Sequence, residues 1–200
     1  TLINRALKSP ELSHTAVVVN EFGQVGLDHK LYANSNDTVI VLENGCLCCT
    51  VRSDLVSTLN DLFRMRQGGK IPLFDHVIIE TSGLAEPGAV IQAFLSEPTL
   101  DGLYRIASVL TLVDAVNFES TIANHDEAAR QVALADHILI TKLDAVEDDP
   151  AARLASLRAS LEKSNPAAII LENSDQLDLV SKRRQRLRHA REYLLQRFLV

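Results

Sequence analysis

The three cysteines of this 200-residue chain fall in one short window, Cys46-Leu47-Cys48-Cys49, directly after Glu43-Asn44-Gly45. A thiolate is a soft anionic ligand, and thiolates at CxCC spacing can converge on a single transition-metal ion. The alternative is a set of small buried hydrophobes that happen to be neighbours. A disulfide framework is disfavoured by the odd count and the tiny loop between the thiols. Softness favours Zn²⁺ or Cu(I) over hard ions, with cellular availability deciding occupancy. Two further segments carry nucleotide chemistry. Thr141-Lys142-Leu143-Asp144 matches the Asn/Thr-Lys-x-Asp pattern that reads guanine. Its aspartate can accept from the N1–H and N2–H of the base, a pair adenine cannot offer, while the lysine stem covers the ring. Glu80-Thr81-Ser82-Gly83 sets an acid where it can act on Mg²⁺ through water, and a glycine whose N–H can approach a γ-phosphate. Singly, the first is an ordinary solvated loop and the second an ordinary strand-to-helix turn. In this order and spacing they reinforce each other.

Those segments must be positioned by something, and the surrounding pattern says what. Thr15 to Val19 and Thr38 to Leu42 are continuous apolar runs that predict buried strands. Val77 to Ile79, Ala107 to Val113, His137 to Ile140 and Ala167 to Leu171 predict four more. Helices are predicted over Ser53 to Arg66, Gly88 to Leu95, Glu127 to Ala135 and Pro150 to Lys163, with Thr1 to Leu7 opening the chain as another. Strand–helix alternation of this kind predicts an α/β fold: a mostly parallel sheet with helices on both faces. In such sheets ligands bind beyond the carboxyl ends of the strands. Asn20-Glu21, the cysteine cluster, Glu80 to Gly83, Asp114 and Thr141 to Asp144 all follow directly after strands. A purely structural sheet has no reason to gather an acid, a glycine or a thiol at every strand end.

Composition bounds the partners. With 46% hydrophobic and 23% charged residues the usage is that of an ordinary globular domain. A net charge of −6, no tryptophan and few aromatics argue against a nucleic-acid partner. No run of about 18 apolar residues is present, so no membrane span is predicted. Free thiols without an export signal fit a reducing cytoplasm.

With these motifs quoted, the chain resembles the CobW-type metallochaperone GTPases, a branch of the P-loop GTPases that includes the nickel and urease accessory proteins. The resemblance is carried by Asn20-Glu21-Phe22-Gly23-x-Val25-Gly26-x-Asp28, Glu43-x-Gly45-Cys46-x-Cys48-Cys49, Glu80-Thr81-Ser82-Gly83-Leu84-Ala85-x-Pro87, Val113-Asp114-Ala115 and Thr141-Lys142-Leu143-Asp144. It implies a P-loop GTPase-like fold and a protein that delivers Zn²⁺, Co²⁺ or another transition metal to a client metalloprotein or metal-cofactor pathway. GTP binding and hydrolysis would be the switch, with Mg²⁺ on the phosphates. Residue by residue, it implies that Cys46, Cys48 and Cys49 ligate metal and that Glu21 couples nucleotide state to the metal or ligates it. Glu80 becomes the Mg²⁺-associated acid, Gly83 the γ-phosphate sensor, and Lys142 and Asp144 the guanine readers, with Thr141 where many relatives carry Asn. Gln24 stands where relatives often carry Glu. His14, His29 and His76 become extra ligands only if the fold brings them close, while His125 and His137 are read as helix and strand residues without function.

Two departures from the family pattern shape the expectations. The phosphate-cradling GxxxxGK followed by Ser or Thr is not found; Gly68-Gly69-Lys70-Ile71 follows a helix and has Ile where a hydroxyl must meet Mg²⁺. Thr1 is then the residue that could close such a loop, and the chain reads as a family member cut at its N-terminus just after it, with poor nucleotide binding of its own. Residues 1–181 are expected to be the GTPase domain. Residues 182–200 are expected to be a basic helical tail, and the smaller C-terminal domain of relatives is expected to be absent. The competing reading is a non-enzymatic metal-binding remnant that has lost nucleotide turnover. A more distant one is a regulatory interaction domain that uses the sheet edge for a client.

Overall fold

The computed structural model describes residues 2–12, 14–20, 38–41, 50–81, 83, 85, 87–172 and 192–199. Thr1, Glu21, Gln24, His29, Cys46, Cys48, Cys49 and residues 182–191 lie outside the described residues. In chain order the elements are α1 (Leu2–Ala6), a 3-10 turn (Pro10–Leu12), β1 (Thr15–Asn20), β2 (Thr38–Val41), α2 (Thr50–Gln67), β3 (His76–Thr81), α3 (Pro87–Ser96), α4 (Pro98–Asp101) and β4 (Tyr104–Asp114). Then follow α5 (Phe118–Asn124), α6 (Asp126–Leu134), β5 (His137–Thr141), a 3-10 turn (Leu143–Ala145), α7 (Pro150–Ser164), β6 (Ile169–Leu171) and β7 (Glu192–Leu199).

The described strands form one sheet in the order β2-β1-β3-β7-β4-β5-β6, and every pairing in it is parallel. Parallel strands need both faces covered, which is why their sequences are continuous rather than alternating. On one face, Val77 and Ile79 of β3 and Ala16 and Val18 of β1 pack under Leu55, Leu59 and Leu62 of α2 and Val90 and Phe94 of α3. The three leucines recur at helical spacing and are all but fully buried, each contributing about 1.5–3 kcal/mol of apolar burial. Further along the sheet, Ile138 and Ile140 of β5 and Val113 of β4 pack against Phe118, Val132, Leu157 and Leu161 of α5, α6 and α7. The other face is met by α1 and the first 3-10 turn, where Ile3 and Leu12 cover Val17 and Ile78.

The Gly-Gly-Lys sequence that resembles a phosphate loop is a helix terminator. Lys70 N–H donates to the Met65 carbonyl and Gly69 N–H to the Arg66 carbonyl, while Gly69 sits at φ +65°. This is a Schellman closure of α2, the left-handed position that glycine fills without a Cβ clash.

One expectation is corrected. The tail expected to be helical contains a strand, β7, wedged between β3 and β4. It pairs with His76 to Glu80 on one side and with Tyr104 to Leu112 on the other, the second ladder shifting register between Ile106 and Ser108. Glu192-Tyr193-Leu194-Leu195-Gln196-Arg197-Phe198-Leu199 is rich in aromatic and branched residues that suit a pleated surface. Open ladders on both flanks satisfy its backbone without any helical bonds.

Candidate nucleotide and metal site

Because the sheet is wholly parallel, one edge collects the carboxyl ends of β1, β3, β4 and β5. Asn20 is in register with Thr81 and Asp114 with Thr141. The Glu80–Gly83 tip and the Thr141–Asp144 tip therefore face the same side, separated by β7 and β4. At about 4.8 Å per strand the two tips are roughly 14 Å apart, a distance an extended nucleoside triphosphate can bridge from base to terminal phosphate.

Four hydrogen bonds at this edge converge on Asp114. Its carboxylate accepts from Val116 N–H at 2.8 Å and from Asn117 N–H at 3.2 Å, an Asx turn that stops β4 and starts α5. Its second oxygen accepts from the Asn117 amide at 3.0 Å and from Lys142 Nζ at 2.7 Å. Burial pushes this carboxyl up. The Lys142 ammonium, the Asn117 amide and the two backbone donors outweigh burial and hold it down at about 2.

Lys142 reaches Asp114 because of its backbone. It is in the left-handed region at φ 58°, the one non-glycine residue there among the described residues. Such a conformation costs on the order of 1 kcal/mol and tends to be kept where geometry matters. It turns the chain out of β5 into the 3-10 turn, which Ala145 N–H closes on the Lys142 carbonyl at 3.0 Å. Thr141 points inward instead: its hydroxyl donates to the Val113 carbonyl at 3.1 Å and its carbonyl accepts from Ala115 N–H at 2.9 Å. Its side chain thus ties β5 to β4. Asp144 is exposed, and its carboxylate has no hydrogen bond to another described residue.

Glu80 is half-buried, one residue before the end of β3. A carboxylate oxygen at this place has the hardness that Mg²⁺ requires of a donor. Gly83 follows in a turn, with Ser82, Leu84 and Glu86 outside the described residues. Of the three histidines named as conditional ligands, two can be placed. His14 and His76 stand at the amino ends of β1 and β3, in the register Thr15 to His76, so they are on the opposite edge of the sheet. His137 begins β5, its Nδ1 2.8 Å from the Ser108 hydroxyl. Among the described residues no group of three or more His, Cys, Asp or Glu side chains is arranged to hold a metal ion, and no helix is long and apolar enough to cross a membrane.

Two supporting residues carry no sequence motif. Arg153 of α7 donates from Nε to the Ala115 carbonyl at 2.6 Å and forks onto the Glu119 carboxylate. It thereby braces the turn that follows Asp114. The fork holds Glu119 below the usual carboxylate range, and Glu119 pushes the guanidinium up. Gln131 of α6 donates to the carbonyls of Gly83 and Ala85. Both residues act on backbone carbonyls far away in sequence, a relation that residue spacing does not encode.

The CobW/HypB/UreG nucleotide-binding domain matches residues 1–172. The zinc chaperone YjiA of Escherichia coli is 38% identical over 144 residues, which cover 72% of this chain and 45% of that protein. The zinc chaperone CobW of Sinorhizobium is 30% identical over 209 residues, covering 86% of this chain and 58% of the relative. The zinc-regulated GTPase metalloprotein activator 1 of Schizosaccharomyces pombe is 28% identical over 190 residues, covering 91% and 44%. The crystal structure of Zn(II)-bound YjiA GTPase from E. coli superposes with a TM-score of 0.65 at 29% identity, over 86% of this chain and 52% of that one. The chain spans about half the length of the relatives it matches.

Proposed function

We propose, on the premise that the chain belongs to the CobW/HypB/UreG nucleotide-binding family, that it is the guanine-nucleotide module of a GTP-hydrolysing metallochaperone. Its cargo is a transition metal, zinc or cobalt, held by Cys46, Cys48 and Cys49 with Glu21 as a coupling residue or further ligand. The cargo passes to a client metalloprotein. The observation that carries this reading is the Thr141–Asp144 tip. Lys142 is held over the end of β4 by Asp114, and Asp144 is exposed two residues on, with no competing partner among the described residues.

In this reading Asp144 accepts from the base N1–H and N2–H, and the Lys142 stem covers the ring. Thr141 holds the tip rather than touching the base. Gly83 brings a backbone N–H to the γ-phosphate from the end of β3, and Thr1 closes the phosphate loop. Mg²⁺, when bound, neutralises phosphate charge, and Glu80 is the residue that would hold its water shell. The cysteines follow β2 in sequence as Gly83 follows β3, and in this reading a nucleotide-driven loop movement changes thiolate geometry. Linkage makes this reciprocal: whatever factor GTP adds to metal affinity, the metal adds to GTP affinity. The zinc-related names of the relatives support the cargo assignment.

The test uses the complete gene product. Zn²⁺ affinity is measured by chelator competition with and without a non-hydrolysable GTP analogue, alongside GTP turnover with and without Zn²⁺. The expected result is coupled affinities and turnover, both lost when Cys46, Cys48 and Cys49 are changed to Ser. Zinc binding indifferent to GTP, with no turnover, would favour the metal-binding remnant instead. Client binding indifferent to both would favour the interaction domain.

A further inference from the structure

Gln131 is a glutamine where a helix buried against a sheet ordinarily places a hydrocarbon. It lies on α6 in line with the buried Ala128 and Val132, and it is itself completely buried. Its side-chain nitrogen donates to the Gly83 carbonyl at 2.9 Å and to the Ala85 carbonyl at 2.8 Å. Its own carbonyl accepts the Thr111 hydroxyl at 2.9 Å, fixing this turn of α6 to β4. The side-chain oxygen is buried and has no hydrogen-bond partner among the described residues.

That combination is informative. A leucine would fill the same space without orphaning an acceptor, so packing alone does not account for an amide here. What the amide provides and a leucine cannot is a pair of donors. Both go to the segment that leaves β3, at Gly83 and Ala85, between the end of β3 at Thr81 and the start of α3 at Pro87. The two hydrogen bonds hold this loop against α6.

We infer that Gln131 is a positioning residue: it latches the Gly83–Ala85 loop to α6 and β4, and so sets where that loop meets the terminal phosphate. The inference rests on the reading of Gly83 as the γ-phosphate sensor. GDP has no γ-phosphate, so the latch matters for GTP and not for GDP. It also gives α6 a direct line to the phosphate loop, because movement of the loop must break or carry the Gln131 side chain.

The experiment compares the complete gene product with its Gln131→Leu and Gln131→Met variants, which keep the volume and remove the donors. Fluorescent GDP and a non-hydrolysable GTP analogue report affinity, GTP turnover reports kcat, and hydrogen exchange reports the Gly83 and Ala85 amides. The latch predicts GDP affinity within about twofold of wild type and analogue affinity relative to GDP lower by about tenfold, or about 1.4 kcal/mol. It also predicts a kcat about tenfold lower and faster exchange at Gly83 and Ala85, with β3 amides unchanged. Melting temperatures equal to or above wild type would fit removal of the orphan oxygen. Unchanged exchange, or equal losses of GDP and analogue affinity, would overturn the proposal. Gly83→Ala separates the two levels of inference. If Gly83→Ala shifts the analogue-to-GDP ratio and neither Gln131 variant does, the latch alone fails. If no variant shifts it, the γ-phosphate reading fails and takes the latch with it.

Discussion

Replacing Asp114 by Asn tests the hub of the edge without changing its shape. The amide keeps one oxygen for the Val116 and Asn117 N–H groups, but it confronts Lys142 Nζ and the Asn117 amide with a third donor. A carboxyl held at about 2 instead of 3.8 corresponds to about 2.4 kcal/mol of preference for the charged form. Solvent reaches the pair, since the Lys142 side chain is 62% exposed, so screening leaves about 1 kcal/mol as stability. For a domain of this size that lowers Tm by roughly 2–4 °C. The sign with pH follows from the depressed value: the stabilisation is fully present above the ordinary carboxyl value and is lost as pH falls through the folded one. Wild type and Asp114→Asn should therefore differ at neutral pH and converge below pH about 2. The same change frees Lys142, so on the proposed guanine reading GTP and GDP affinities should fall together by about tenfold, on the order of 1.4 kcal/mol. A double-mutant cycle with Lys142→Ala is the assay, read by nucleotide titration and thermal melts. If Asp114→Asn costs as much in the Lys142→Ala background as in wild type, the pair is not coupled and the reasoning is wrong.

Two other outcomes follow from the geometry. On the proposed guanine reading, Asp144→Asn should weaken guanine nucleotides about a hundredfold, because that reading gives the carboxylate two charge-assisted bonds to the base. It should improve xanthine nucleotides, whose O2 can accept from the new amide; competition by the two nucleotide series measures both. Asn165→Ala should destabilise the domain by about 3 kcal/mol in urea unfolding. The Asn165 amide nitrogen donates to the carbonyls of Val132, Ala133 and Ala135, and its oxygen accepts from Ala167 and Ala168, so its loss strands buried backbone groups at the junction of α6, α7 and β6. An unchanged urea midpoint would show that water replaces it freely.

What the sequence made legible was whatever periodicity and strand-end chemistry encode. Val77 to Ile79 and Thr15 to Val19 read as buried strands because two-sided burial leaves no polar alternation, and α2 read as a helix from Leu55, Leu59 and Leu62. The short α4 and α5 went unread, since a helix of one or two turns holds too few residues to show a period. Residues 192–199 were misread because a run of Leu, Tyr and Phe among arginines fits a helix stripe and a buried strand equally. Only the gap between β3 and β4 decides the matter, and that gap is a tertiary fact. Within the site, Asp114, Lys142 and Asp144 were visible as types at strand ends. The inward turn of Thr141 and the roles of Arg153 and Gln131 were not, because their partners are backbone carbonyls, which every residue possesses.

The order of strands also sets a schedule for folding. β3 and β4 never pair with each other; each pairs with β7. The hydrogen-bonded continuity of the sheet thus depends on a segment that follows β4, β5 and β6 in the chain. On either side of it stands a half-sheet; Tyr104 of β4 already packs into the cluster of β1 and β3, but joining the halves by backbone hydrogen bonds must close a long loop and is correspondingly slow. Until β7 zips in, the nascent domain carries two unpaired parallel edges facing each other in its interior. Raw edges of this kind template association between chains. Residues 192–199 therefore bear on the yield of folded protein as well as on its stability, with aggregation during refolding as the symptom of a delayed β7.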